Sequence, residues 1–152
     1  MKPILKAAIA VICLLLPTAV AAGAGGLIEK QSAHGVKETV DRFEAILKKK
    51  GITVFARIDH AAGAAKIGQN LAPTELIIFG SPKMGTPLMT ASRRIGIDLP
   101  LKLLAWQDGD GKVRIAYHAP DRLKARYQVE GRDGVFAKMA KVLDGLTAAA
   151  VK

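Results

Sequence analysis

The spacing of apolar residues predicts two long helices, one early in the chain and one at its end. From position 36, apolar residues recur at the interval of one helix face: Val36, Val40, Phe43 and Leu47. Lysines at 48–50 suit the negative end of the helix dipole, and Gly51 can end the helix in a left-handed conformation. A similar apolar stripe predicts the second helix over 134–149.

Compact or alternating apolar runs between these helices predict strands. They lie at 27–31, 52–58, 75–79, 101–107 and 113–118. The last two flank Asp-Gly-Asp-Gly-Lys at 108–112, which is typical of a hairpin turn. Short helices are expected at 60–67 and 88–94, with the Gly- and Pro-rich segment 81–87 as a loop. This order predicts a single compact α+β domain, with a mixed or antiparallel sheet and helices packed mainly on one face.

The N-terminus has the features of an export signal. Lys2 and Lys6 precede an uncharged apolar run over 7–16, and small residues follow it. Cleavage near residue 21 or 24 would leave a signal peptide over 1–24 and a domain over 25–152. The run is shorter than the about 20 residues of a membrane span. We therefore expect a periplasmic or secreted protein with no stable membrane span after cleavage; an uncleaved anchor is the alternative.

Cysteine content and charge narrow the chemistry. Cys13, the only cysteine, lies in the predicted signal, so its loss would exclude disulfides, thiolate nucleophiles and Cys-based metal sites. The formal net charge of +10 would fall by only two on loss of Lys2 and Lys6. A basic protein suits anionic partners, although in an exported protein nucleic acid is not expected. The alternative is a basic surface that only maintains solubility.

A set of motifs in fixed order resembles the bacterial domain of unknown function 302 family. They are Ile-Asp-His at 58–60, Leu-Ile-Ile-Phe-Gly-Ser-Pro-Lys at 76–83, Gly-Thr-Pro-Leu-Met at 85–89, Asp-Leu-Pro-Leu-Lys at 98–102 and the Asp-Gly hairpin. The resemblance extends roughly from Lys30 to Leu146, with a departure at Ser81, where the family usually carries Asn. It implies a compact α+β domain with homodimers among its relatives, and it implies no activity.

The pair Asp59-His60 is the first candidate site. It follows a predicted strand and precedes an Ala-rich helix. A histidine that titrates near neutral pH can transfer protons, bind a metal or hold an anion. Alternatively, Asp59 caps the following helix and His60 only packs beside it.

The segment from Gly80 to Thr86 is the second candidate. Backbone amides at a helix start, with Ser81, Lys83 and Thr86 nearby, could hold a carboxylate, sulfate or phosphate. A nucleotide-binding loop is excluded, because it needs Lys and then Ser or Thr directly after the second glycine. The alternative is a loop that shapes the fold or a dimer contact.

Three function classes follow from these candidates. The favoured one is an exported domain that binds a small ligand, with small anions among the candidates, in a cleft shared by His60 and 80–86. The second is an enzyme with His60 as general acid or base and Lys83 as an electrostatic anchor. The third is an envelope interaction protein with a basic surface. No cofactor can be named and no metal site is predicted, because His34, His60 and His118 lack paired spacing.

Overall fold

The computed structural model describes residues 22–23 and 25–152. The predicted signal peptide, including Cys13, therefore lies outside the described residues except for Ala22 and Gly23. Within the described part of the chain, no helix is long and apolar enough to cross a membrane.

Strands and helices alternate along most of the chain. The strands are β1 (Ala22–Gly23), β2 (Leu27–Ser32), β3 (Thr53–Asp59), β4 (Thr74–Gly80), β5 (Leu101–Gln107) and β6 (Val113–His118). The α-helices are α1 (Val36–Lys49), α2 (His60–Lys66), α3 (Pro82–Ala91), α4 (Pro120–Tyr127) and α5 (Asp133–Ala150), with a 3-10 helix at Arg93–Ile97.

The strands form one antiparallel sheet in the order β1-β2-β6-β5-β4-β3. Because side chains alternate between the two faces of a sheet, residues such as Ile77, Leu103 and Ile115 share one face, where they are fully buried. They form a single core cluster with apolar residues of α1 and α5. The predicted α+β class is confirmed.

Helix α1 is held to the sheet by aromatic packing. Val40, Phe43 and Leu47, three residues of the predicted stripe, are fully buried. The rings of Phe43 and Phe79 meet edge to face, with 5.0 Å between centroids and 82° between planes. This geometry is a favoured arrangement of aromatic pairs, and it joins α1 to the inner side of β4.

Two segments differ from the prediction. Residues 81–87 do not form a loop before a helix at 88–94, because α3 begins at Pro82 and a 3-10 helix follows it. Helix α4 was not predicted at all. Both helices carry proline in their first turn. Backbone N–H groups there have no acceptor within the helix, so the N–H that proline lacks costs no hydrogen bond, and the fixed φ angle of proline suits a helix. Pro82 therefore begins a helix in a segment that was expected to be a loop, and Pro120 begins a helix that was not predicted.

Candidate functional site

The first candidate pair lies at the junction of β3 and α2. Asp59 Oδ1 accepts a hydrogen bond from Ala62 N at 2.8 Å, so Asp59 is the N-cap of α2. His60 is the first residue of that helix and its side chain is exposed. The capping alternative for Asp59 is therefore what the structure contains. A ligand or proton-transfer role for His60 stays a prediction.

The two sequence candidates do not share a cleft. Strands β3 and β4 are antiparallel, with Thr53 opposite Gly80 and Asp59 opposite Glu75. Six residues of strand separate these two ends, or about 20 Å at the usual rise per residue. His60 and the segment 80–86 consequently lie at opposite ends of the β3–β4 pair. The prediction of one site formed by both is wrong.

Ser81 and Thr86 instead line an apolar cleft between α3, the start of β5 and the middle of α5. Its volume is about 370 Å³. We call it the methionine cleft, and its walls comprise Phe55, Gly80, Ser81, Pro82, Met84, Gly85, Thr86, Met89, Leu99, Pro100, Leu101 and Met139. All but two of these residues are apolar or glycine, so the cleft suits the apolar part of a small molecule.

Methionine is confined to this cleft in the described part of the chain. The sequence has four methionines: Met1, which is outside the described residues, and Met84, Met89 and Met139. Elsewhere the core consists mainly of Leu, Ile, Val, Ala and Phe. Methionine is flexible and polarizable, and it is common on surfaces that adapt to different ligands. The clustering was not detected in the sequence, because the three residues belong to two distant segments.

The beginning of α3 supplies the polar part of the cleft. The Ser81 carbonyl accepts hydrogen bonds from the amides of Met84 and Gly85, both at 3.0 Å, while its side chain makes no capping bond. Lys83 is exposed in the first turn of the helix. The first turn of a helix carries partial positive charge. A lysine at that position adds to the attraction for an anionic group.

Phe55 forms an exposed apolar wall of the cleft. The β3–β4 pairing is irregular between Val54 and Ala56, and Phe55 lies within that irregularity with 56% of its surface exposed. A Cβ placed on Gly80 would lie 3.7 Å from the Phe55 ring and 3.4 Å from Pro100 Cβ. A bulge redirects a side chain out of its strand pattern, which explains how a phenylalanine lies at the edge of the cleft instead of in the core.

The three histidines are not part of a metal cluster in the described chain. His34 Nδ1 lies 3.0 Å from Glu38 Oε1, His60 begins α2, and His118 ends β6. Over residues 22–23 and 25–152, no group of three or more His, Cys, Asp or Glu side chains is arranged to hold an ion.

Comparison with known proteins identifies the family. The family model for "Domain of unknown function DUF302" matches residues 28–146. The chain belongs to the DUF302 family. The crystal structure of an uncharacterized DUF302 protein from Bacillus stearothermophilus superposes on this domain with a TM-score of 0.70 at 21% identity, covering 84% of this chain and 97% of that one. At this identity the likeness concerns the fold.

Curated relatives of this DUF302 domain are longer proteins. It is 49% identical over 104 residues to "Fluoride-specific ion channel FluC 1" of Brucella suis biovar 1, a match that covers 68% of this chain and 41% of that protein. "Fluoride-specific ion channel FluC 2" of Brucella melitensis biotype 1 matches at the same identity, with 38% of its length covered. The chain thus spans about two fifths of the length of these relatives.

Proposed function

We propose that this DUF302 protein is an exported binding domain for a small amphipathic anion. The apolar body of the ligand would occupy the methionine cleft, and its anionic group would lie at the beginning of α3. The observation that carries the proposal is the cleft itself, an apolar space of about 370 Å³ with Ser81 and Thr86 in its walls. This volume falls in the range of small-molecule sites in proteins.

The anionic part of the proposal is supported by charge. Lys83 in the first turn of α3, the helix dipole and the unused capping position of Ser81 all favour a negative group at this end of the cleft. The whole chain is basic, with a formal net charge of +10. A carboxylate or sulfonate on an apolar body satisfies both halves of this environment.

The relatives give a second line of support. Two curated proteins that contain a segment 49% identical to this domain are named as fluoride-specific ion channels. Attachment of the domain to proteins named for transport of an anion is consistent with a role in anion binding. The name concerns those proteins, and the ligand of this chain is proposed from its own cleft.

We also propose that the protein forms a homodimer through the outer face of its sheet. We call this surface the open face; it is the face opposite α1 and α5 and carries Ile58, Leu76, Ile78, Leu104 and Trp106. Ile58 is 40% exposed, and the other four are half-buried. An apolar surface of this kind favours association, and the family resemblance favours a second copy as the occupant.

Export is the third part of the proposal. It rests on the basic, apolar and small-residue regions of the first 24 residues. Strand β1 pairs with the edge strand β2, with Ala22 opposite Ile28. Cleavage after Ala21 would keep this strand, so we expect N-terminal sequencing of the exported protein to begin at Ala22. A product that keeps Met1 would contradict export by this signal.

A cleft-filling variant tests the binding site. A Cβ at Gly85 would lie 3.7 Å from Met89 Cε and 3.8 Å from Leu99 Cδ1, so the side chain of Gly85→Leu would enter the cleft. Gly145→Leu in α5 is the matched control, because a Cβ there meets nothing within 4 Å. Both changes replace a helical glycine with a better helix former. The probe is 1-anilinonaphthalene-8-sulfonate, whose aromatic body and sulfonate match the two parts of the site.

We expect saturable fluorescence with the wild-type protein, at least tenfold weaker binding to Gly85→Leu and unchanged binding to Gly145→Leu. Lys83→Gln should weaken binding of the sulfonate probe by about two- to fivefold at low salt. The same variant should bind N-phenyl-1-naphthylamine, the same ring system without its sulfonate, as the wild type does. Equal binding of the sulfonate probe to both leucine variants would overturn the proposal.

A further inference from the structure

The two central strands of the sheet separate at one end. Strands β5 and β6 pair from Gln107–Val113 to Leu104–Ala116. The same register would place Leu103 opposite Tyr117, but in the described chain the pairing stops before that point. Each strand still pairs with its outer neighbour there: β5 with β4 as far as Leu101–Phe79, and β6 with β2 as far as Leu27–His118. Backbone groups on the inner edges of these segments therefore have no strand partner.

A pocket lined by both apolar and polar side chains lies at this separation. Its volume is about 250 Å³, and its walls comprise Ile97, Asp98, Leu101, Lys102, Tyr117, His118, Leu123 and Leu143. Leu101 also lines the methionine cleft, so the start of β5 forms a wall between the two spaces. The pocket is smaller than the cleft and differs in chemistry, since it includes a carboxylate, an ammonium group, a phenol and an imidazole.

Tyr117 is the buried polar residue of this pocket. The residue is only 3% exposed, and its hydroxyl has no hydrogen-bond partner within the described residues. Burial raises the pKa of Tyr117, an effect that the nearby Thr147 hydroxyl partly opposes. Thr147 Oγ1 donates to Leu143 O and accepts from Lys30 Nζ, each at 2.8 Å, which occupies its donor and one of its two acceptor positions. Burying a hydroxyl group without a hydrogen bond lowers the stability of the folded state, unless a ligand supplies the missing partner.

The charges around the pocket favour an anion. Asp98 Oδ2 accepts a hydrogen bond from Tyr127 Oη at 2.6 Å and lies 3.4 Å from Arg126 Nη1. Its negative charge is therefore partly offset within the protein. Lys102 Nζ makes only a long bond of 3.4 Å to Pro100 O in the described chain, which leaves most of its donor capacity available. His118, exposed at the end of β6, adds a further donor.

We infer that this pocket binds a small oxyanion, independently of the methionine cleft. The Tyr117 hydroxyl would donate to one oxygen, the Lys102 ammonium would pair with the charge, and backbone N–H groups of the separated strands would complete the coordination. A pocket of about 250 Å³ accommodates phosphate or sulfate together with water. Such a ligand has no apolar body, so the two sites would differ in specificity.

The test is a titration of the wild-type protein and three variants with inorganic phosphate and sulfate at low salt. Selective ¹³C labelling of tyrosine gives a direct readout, because Tyr117 and Tyr127 are the only tyrosines in the chain. Tyr117→Phe removes the hydroxyl alone, and Lys102→Gln removes the charge. Lys49→Gln, at an exposed position in the last turn of α1, is the control for a general loss of positive charge.

We expect a saturable shift of the Tyr117 signal, at least tenfold weaker affinity in Tyr117→Phe and Lys102→Gln, and less than a twofold change in Lys49→Gln. The affinity of the variants is measured by calorimetry. Tyr117→Phe should unfold at the same temperature as the wild type or a higher one, because it removes an unpaired buried hydroxyl. Absence of saturation by either anion would overturn the inference. So would a destabilised Tyr117→Phe protein with unchanged affinity, because the hydroxyl would then have a purely structural role.

Discussion

At the scale of single residues, Arg57 connects three elements. Its guanidinium lies 2.6 Å from Asp41 and 3.0 Å from Glu44 on α1, and 2.6 Å from Glu75 on β4. A hydrogen bond from Lys37, followed by one from Arg57, lowers the pKa of Asp41; bonds from Lys48 and then Arg57 do the same for Glu44. Carboxyl groups with lowered pKa stabilise the folded state above their usual pKa values, and this contribution is lost as the pH falls through the folded-state values.

Arg57→Met should therefore lower the free energy of unfolding by about 1–2 kcal/mol at pH 7, because it leaves Glu75 partly buried without its partner. Urea unfolding at pH 7 and pH 3.5 should find that the difference from the wild type narrows at the lower pH, where the carboxyl groups are increasingly protonated. Arg94→Met, at an exposed position of the 3-10 helix, is the control. A difference of equal size at both pH values would contradict this account of Arg57.

At the scale of elements, two phenylalanines have different roles, one in the packing of the core and one in the proposed binding site. Phe43 on α1 is fully buried against Phe79, whereas Phe55 on β3 is 56% exposed at the methionine cleft. Phe43→Ala should cost about 3–5 kcal/mol of stability. Phe55→Ala should cost less than about 1 kcal/mol and should weaken binding of the naphthalene probes. Thermal unfolding and probe titration of both variants measure these effects. A large loss of stability in Phe55→Ala would mean that the residue belongs to the core.

The elements also explain what could be predicted from the sequence. The stripe of Val40, Phe43 and Leu47 predicted α1 because local periodicity determines which helix face is buried. The start of α3 was misjudged because proline is a helix breaker in most positions but a good residue for the first turn, and α4, which also begins at a proline, was not predicted. The methionine cleft could not be predicted, since it depends on tertiary contact between α3 and α5. The separation of β5 and β6 could not be predicted either, because the sequence pattern of each strand is regular and does not show where pairing with its neighbour stops.

At the scale of the whole molecule, the open face determines the assembly that we propose. Ile58→Glu places a charge on this face. Val142→Glu on α5 is the matched control, because Val142 is 38% exposed and Ile58 is 40% exposed. Sedimentation analysis should detect a dimer in the wild type and in Val142→Glu, and a monomer in Ile58→Glu. Trp106, the only tryptophan, lies on the open face, so its emission should shift to longer wavelength on dissociation. A dimer that persists in Ile58→Glu would show that this face is not the interface.

The central claim, that the methionine cleft binds a small amphipathic anion, is tested most directly by NMR of ¹³C-labelled methionine methyl groups. Removal of the proposed signal peptide would leave Met84, Met89 and Met139, all of which line the cleft. Titration with 1-anilinonaphthalene-8-sulfonate should shift all three signals with one saturating dissociation constant, and Gly85→Leu should abolish the shifts. Probe binding that leaves the three methyl signals unmoved would place the ligand elsewhere and contradict the account.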